Sequence, residues 1–89
     1  MIFHIVWLQV ALNELANLWM QADSLLRKQI TAAAHAIDQE LKMNPDEKGE
    51  SRDNGERVFF VHPLGVQFEI DRSRSTVRIF HVWDIRRKK

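Results

Sequence analysis

Two runs of helical periodicity separated by three residues constrain this chain more than any other feature. In "ALNELANLWMQADSLLRKQITAAAHAIDQEL", Leu12, Leu15, Trp19 and Ala22 recur at spacings of 3, 4 and 3. After the break at Ala22-Asp23-Ser24, the residues Leu26, Ile30, Ala33, Ile37 and Leu41 form a second apolar stripe. Such spacing places each set on one face of an α-helix. Asp23 or Ser24 is suited to cap the second helix, and Asn44-Pro45 stops it, because a residue before proline avoids the α region. So short a break leaves only an antiparallel hairpin, and both stripes then need one shared apolar surface.

The rest of the chain supplies that surface as strands. "IFHIVWL" at the start is β-branched and aromatic, and three further strands, "RVFFV", "VQFEI" and "TVRIFHVW", follow a polar loop over residues 45–56. "HPLG" places Pro and Gly in the first connection, and "DRSRS" forms the second. The expected fold is α+β in the order β-α-α-β-β-β, a helical hairpin on a small, mostly antiparallel sheet, with residues 1–89 as a single domain. Alternation puts Val66, Phe68 and Ile70 towards the helices, with Gly65, Gln67 and Glu69 opposite. In the last strand Val77 and Ile79 match the core side, while Arg78, Phe80 and Val82 share the other face.

The opening "MIFHIVWLQVAL" has no basic leader and is interrupted by His4 and Gln9. It is shorter than the roughly 20 apolar residues that a bilayer requires, so it reads as a strand entering a helix, and a cytoplasmic location is expected. The absence of cysteine excludes disulfides and thiolate metal sites. The formal net charge of +1 conceals an asymmetry. Residues 38–56 hold seven acids against three bases, and residues 72–89 hold seven bases against one acid, Asp84. Screening confines such fields to about 8–10 Å, so a local excess acts on its own neighbourhood. The closing Arg86, Arg87, Lys88 and Lys89 suit either a polyanion-binding site or a soluble tail.

His4, His35, His62 and His81 lack the i, i+4 pairing of metal sites, so no metal and no cofactor is expected. His81 alone lies near basic residues, where it would serve as an acid or base. Trp19 falls in the helix stripe and reads as core. Trp7 and Trp83, at strand ends, either pack together or rim a partner site. No Gly-rich phosphate loop is present, and the serines have no triad partners in recognisable order.

Over nearly its whole length the chain resembles the RelE/ParE superfamily of toxins from type II toxin–antitoxin modules. The resemblance rests on "VWLQVALNELANLW" as first strand and helix, on "AAAHAIDQELKMNPDEKGESR" as second helix and Gly-containing loop, and on "GVQFEIDRSRSTVRIFHVW" as the final hairpin. It implies a partner antitoxin and one of two activities, cleavage of messenger RNA on the ribosome or poisoning of DNA gyrase. Metal-independent cleavage, in which a 2′-hydroxyl attacks the adjacent phosphate, needs cations and a proton shuttle. The resemblance assigns Arg57, Arg78 and Arg86 to phosphate and His81 to acid/base work. It assigns Lys48, Arg52, Trp83, Arg87, Lys88 and Lys89 to contacts with nucleic acid or a partner. The sequence departs from the pattern at Gly65 or Val66, where an Arg is usual, in having no tyrosine, and at Trp83 and Asp84. Losing one preorganised donor costs about 10²–10³ in rate. A toxin is the expected function; these departures weaken its ribonuclease form and are the main support of a third reading, a binding module that keeps the fold and the antitoxin contact without toxicity.

Overall fold

A computed structural model describes residues 2–86. Arg87, Lys88 and Lys89, expected to contact a partner, lie outside the described residues. Strand β1 (His4–Trp7) leads into helix α1 (Gln9–Met20) and helix α2 (Ser24–Met43). Strands β2 (Glu50–Ser51), β3 (Glu56–Val61), β4 (Leu64–Asp71) and β5 (Thr76–Asp84) follow. They form a five-stranded sheet in the order β1-β5-β4-β3-β2. β1 runs parallel to β5, and every other neighbouring pair is antiparallel.

The second stripe buries as its spacing predicts: Ile30, Ala33, Ile37 and Leu41 lie in the core. They meet Leu64, Val66, Phe68, Val77, Ile79 and Val82 from the sheet. Burying a side chain the size of Phe68 contributes about 1.5–3 kcal/mol, so this contact anchors the layers. Of the two candidate caps for α2, Asp23 does the work; its carboxylate accepts the Leu26 N–H at 2.9 Å. Helix α2 ends at Met43 with Asn44 as its C-cap, and a buried Pro45 opens the short helical turn Pro45–Glu47.

The first stripe is rotated from its expected position. Ala11 is fully buried and Leu15 and Leu18 pack on the core, whereas Leu12 and Trp19 remain 44% and 42% exposed. Trp19 is therefore not a core residue. The cause lies in α2: the Arg27 guanidinium sits 4.2 Å from the Trp19 ring centroid and donates to the carbonyls of Trp19 (2.9 Å) and Met20 (3.2 Å). Those carbonyls end α1, which has no basic residue in its own last turn. Arg27 thus supplies both a cap and a cation–π contact that hold Trp19 at the surface.

Two further features depart from the alternation of the sequence. The polar loop contains β2, held because Arg57 donates to the Lys48 carbonyl (3.0 Å), the Gly49 carbonyl (3.2 Å) and Ser51 Oγ (2.8 Å). Gly49 has φ +70°, and a Cβ there would stand 2.1 Å from the Val58 carbonyl oxygen. In β5, the register passes from Phe68↔Ile79 to Gln67↔His81, so Phe80 is an extra residue. The bulge resets the alternation and turns Val82 into the core, opposite Val66, rather than onto the face of Arg78.

No helix of the described residues is long and apolar enough to cross a membrane. Arg27→Ala removes two hydrogen bonds and the ring contact, and should lower stability by about 1–2 kcal/mol, read as the urea midpoint at constant slope.

Candidate functional site

The helices cover one side of the sheet, and residues facing each other across the register share a face. Three rows cross the uncovered side. The first holds Phe60, Gly65 and Trp83; the second Val58, Gln67 and His81; the third Glu56, Glu69 and Arg78. Asp71 and Thr76 lie one step beyond.

Among the described residues, this surface is not the concentration of cations that the sequence suggests. Arg78 is there, but its Nε and a terminal nitrogen meet Glu69 Oε2 at 2.9 and 2.7 Å, with Asp71 Oδ2 at 3.4 Å. Arg57 pairs with Phe68, which places it on the helix side, where its guanidinium clamps the β2 loop. Arg86 is held by Asp84 at 2.9 Å, Arg52 by Glu50 at 3.2 Å and Lys48 by Glu40 at 2.6 Å. Arg72 pairs with Asp46, joining the β4–β5 turn to the turn after α2. The four residues assigned to catalysis therefore do not converge. Sequence counting placed the bases on one segment, but strands alternate, and acids distant in sequence occupy the adjacent register positions.

His81 stands apart from the arginines. Beyond Ile79 the β1 edge of β5 is open, and α1 covers it with Glu14. That carboxylate accepts the Val82 N–H at 3.0 Å and contacts His81 Nδ1 at 3.1 and 3.3 Å. A carboxylate only accepts, so Nδ1 carries a proton and Nε2 is left for another partner. Nothing local marks Glu14 in the sequence, where it reads as one more polar position of a helix.

At the other end of the open face, Trp83 lies over Gly65. A Cβ at Gly65 would be 2.8 Å from Trp83 Cε2 and Cζ2 and 3.0 Å from Ile85 Cγ2. Phe60 meets Trp83 edge-on, with centroids 6.3 Å apart at 84°. Trp7 does not join them: it packs on the core side, and its Nε1 donates to Asp38 at 3.3 Å. Phe60 and Trp83 stay 48% and 36% exposed, forming an aromatic shelf.

On the helix side, an apolar groove of about 500 Å³ runs between α1 and α2, walled by Leu12, Leu15, Trp19, Met20, Ile30 and Ala34. Its outer rim includes Met20, 63% exposed. Among the described residues, no group of three or more His, Asp or Glu side chains is placed to hold a metal ion.

This architecture matches solved toxin structures. The RelBE2 toxin–antitoxin complex of Mycobacterium tuberculosis superposes with a TM-score of 0.72 at 16% identity, covering 93% of this chain and 91% of that one. The chromosomal ParDE toxin–antitoxin system of Pseudomonas aeruginosa gives 0.67 at 14% identity, over 94% and 97%. The isolated RelE toxin of Escherichia coli gives 0.58 at 11%, over 98% and 88%. The chain has the RelE/ParE fold. No family model matches the sequence, and no curated protein is similar to it by sequence. The RelE/ParE likeness therefore resides in the arrangement of elements, with little shared at the level of residues.

Two predictions follow from the open face of this RelE/ParE-like sheet. Gly65→Ala must displace the Trp83 ring, costing about 1–3 kcal/mol and changing the near-ultraviolet circular dichroism; an unaltered spectrum would contradict the packing. The second concerns pH. Asp71 lies below its ordinary pKa, chiefly through the Ser73 hydroxyl and then Arg74 N–H and Arg78, and Asp46 lies below its own through Arg72. A depressed folded pKa means stability present above the unfolded value, near 3.8, and lost as pH falls through the folded one. Denaturation midpoints should drop below about pH 4, and Asp71→Asn should flatten that drop.

Proposed function

We propose that this chain is the toxin component of a type II toxin–antitoxin pair, inhibitory to growth and neutralised by a cognate antitoxin. The observation that carries this reading is the apolar groove between α1 and α2 on a RelE/ParE fold. Leu12, Trp19 and Met20 are exposed there at helical spacing, a geometry that accepts an amphipathic helix through i, i+3, i+4 and i+7 anchors. Solved structures of similar fold are toxin–antitoxin complexes, which supports an antitoxin as the occupant.

Within this reading, action by surface contact on a target such as DNA gyrase fits the electrostatics better than phosphate chemistry. Arg57, Arg78 and Arg86 are each engaged by neighbouring groups, so none is held ready for a phosphate. One observation favours metal-independent cleavage of messenger RNA as the second reading: Glu14 orients His81 with Nε2 available, as an acid or base requires. In that reading Trp83 supplies a stacking surface for a base.

The test is co-expression. The chain alone should arrest growth, and the product of a small adjacent reading frame should restore it and co-purify. Trp19→Glu, at an exposed position, should abolish co-purification while leaving the fold intact. Growth without arrest and without a partner would remove the proposal. For the second reading, His81→Ala should slow cutting of translated messages by about 10²-fold or more, and unchanged cutting would remove His81 from that role.

A further inference from the structure

Among the described residues, the uncovered sheet face carries a sign of charge opposite to that of the basic run that closes the sequence. Among these described residues, Glu56, Glu69 and Asp71 stand on it against the guanidinium of Arg78, which is already shared between Glu69 and Asp71, while Arg52 at the β2 edge is taken up by Glu50. Glu56 accepts from the Gln67 side chain, an uncharged donor, so its negative charge is not neutralised. A phosphate backbone approaching this face meets more carboxylates than cations, and the field disfavours it. A cation meets the reverse.

The aromatic shelf adds a second preference in the same direction. Trp83 and Phe60 present partly exposed ring surface about 13 Å from Glu69, four residues along β4. Ring faces attract Arg and Lys, and they also receive aliphatic side chains. Gly65 keeps Trp83 flat on the sheet, so the shelf is low and open between its ends. An extended peptide advances about 3.3 Å per residue, so residues i and i+4 of one strand-like segment reach both ends at once.

We infer that the open face of the sheet is a docking surface for a cationic peptide segment of a protein partner. Its Arg or Lys side chains meet Glu56, Glu69 and Asp71, and an apolar or cationic neighbour covers Phe60 and Trp83. This surface lies across the sheet from the α1–α2 groove, so the two sites accept different occupants at the same time.

The experiment uses the isotope-labelled full chain and follows backbone amides by NMR. The probes are a synthetic peptide alternating arginine with leucine, the same peptide with glutamate for arginine, and oligouridine. The arginine peptide should shift the amides of Phe60, Gly65, Gln67 and Glu69, and its binding should weaken as salt rises. Glu56→Gln should weaken it about two- to fivefold, and adding Phe60→Ala should weaken it further. Both positions tolerate change without loss of the core, and unchanged α2 amides check the fold. Oligouridine shifting the same amides while the arginine peptide does not would overturn the inference in favour of nucleic acid. Equal binding by the glutamate peptide, or shifts confined to α1 and α2, would also overturn it. So would peptide-free shifts that grow with protein concentration, which would assign the face to a second copy. The readout needs no antitoxin, so loss of the groove reading leaves this result standing, and the converse holds as well.

Discussion

The parallel pairing of β1 with β5 holds the rest of the molecule in place. His4 stands opposite Thr76 and Trp7 opposite Ile79, and the Leu8 N–H donates to the Ile79 carbonyl at 3.0 Å as α1 begins. That one contact ends the strand and starts the helix over β5. It sets α1 on the edge that β1 leaves uncovered, and it gives Val77 and Ile79 a neighbouring strand on each side, β1 and β4. A parallel pair cannot be closed by a tight turn, and here both helices and strands β2 to β4 lie between the two partners in the chain. The α2 stripe then has one place to go, above Val66 and Phe68.

The sequence made the helical hairpin, the long strands and a cap at Asp23 or Ser24 legible, because each is a local pattern with its own period or capping residue. What it concealed depended on contacts between segments. The Phe80 bulge leaves no mark in composition, yet it moves Val82 from the open face to the core. Trp19 obeys the stripe, but Arg27, eight residues on, fixes it at the surface. β2 exists because Arg57 reaches back to Ser51 and Gly49, a bond that no alternation within "PDEKGESRDNGE" announces.

The candidate site was the least legible part, for an electrostatic reason. Counting charge along a segment treats neighbours in sequence as neighbours in space, and β5 violates that assumption at every second residue. Arg78 faces Glu69, Arg57 faces the helix side and Arg86 bends back to Asp84. Paired surface charges contribute little to stability individually, about 0–1 kcal/mol, but they determine the sign of the field a partner meets. The same pairing that disperses the expected cationic cluster leaves His81 beside a carboxylate and Trp83 beside Phe60. Glu14 has the widest reach of these groups, since it satisfies a strand edge and orients a histidine with one carboxylate.

The position of β5 in the sheet governs the order in which the chain can assemble as it is made. Its interior slot, between β1 and β4, is filled by residues 76–84, whereas the hairpin that must cover that slot is complete by Met43. While translation proceeds, Ala11, Ile30, Ile37 and Leu41 have no finished sheet to bury against, and β1 has no neighbour. Non-local pairing of this kind is slow to close, so the nascent hairpin leaves the polypeptide tunnel with its oily faces bare. A helix-binding protein present at that moment meets the hairpin before the native sheet competes for it.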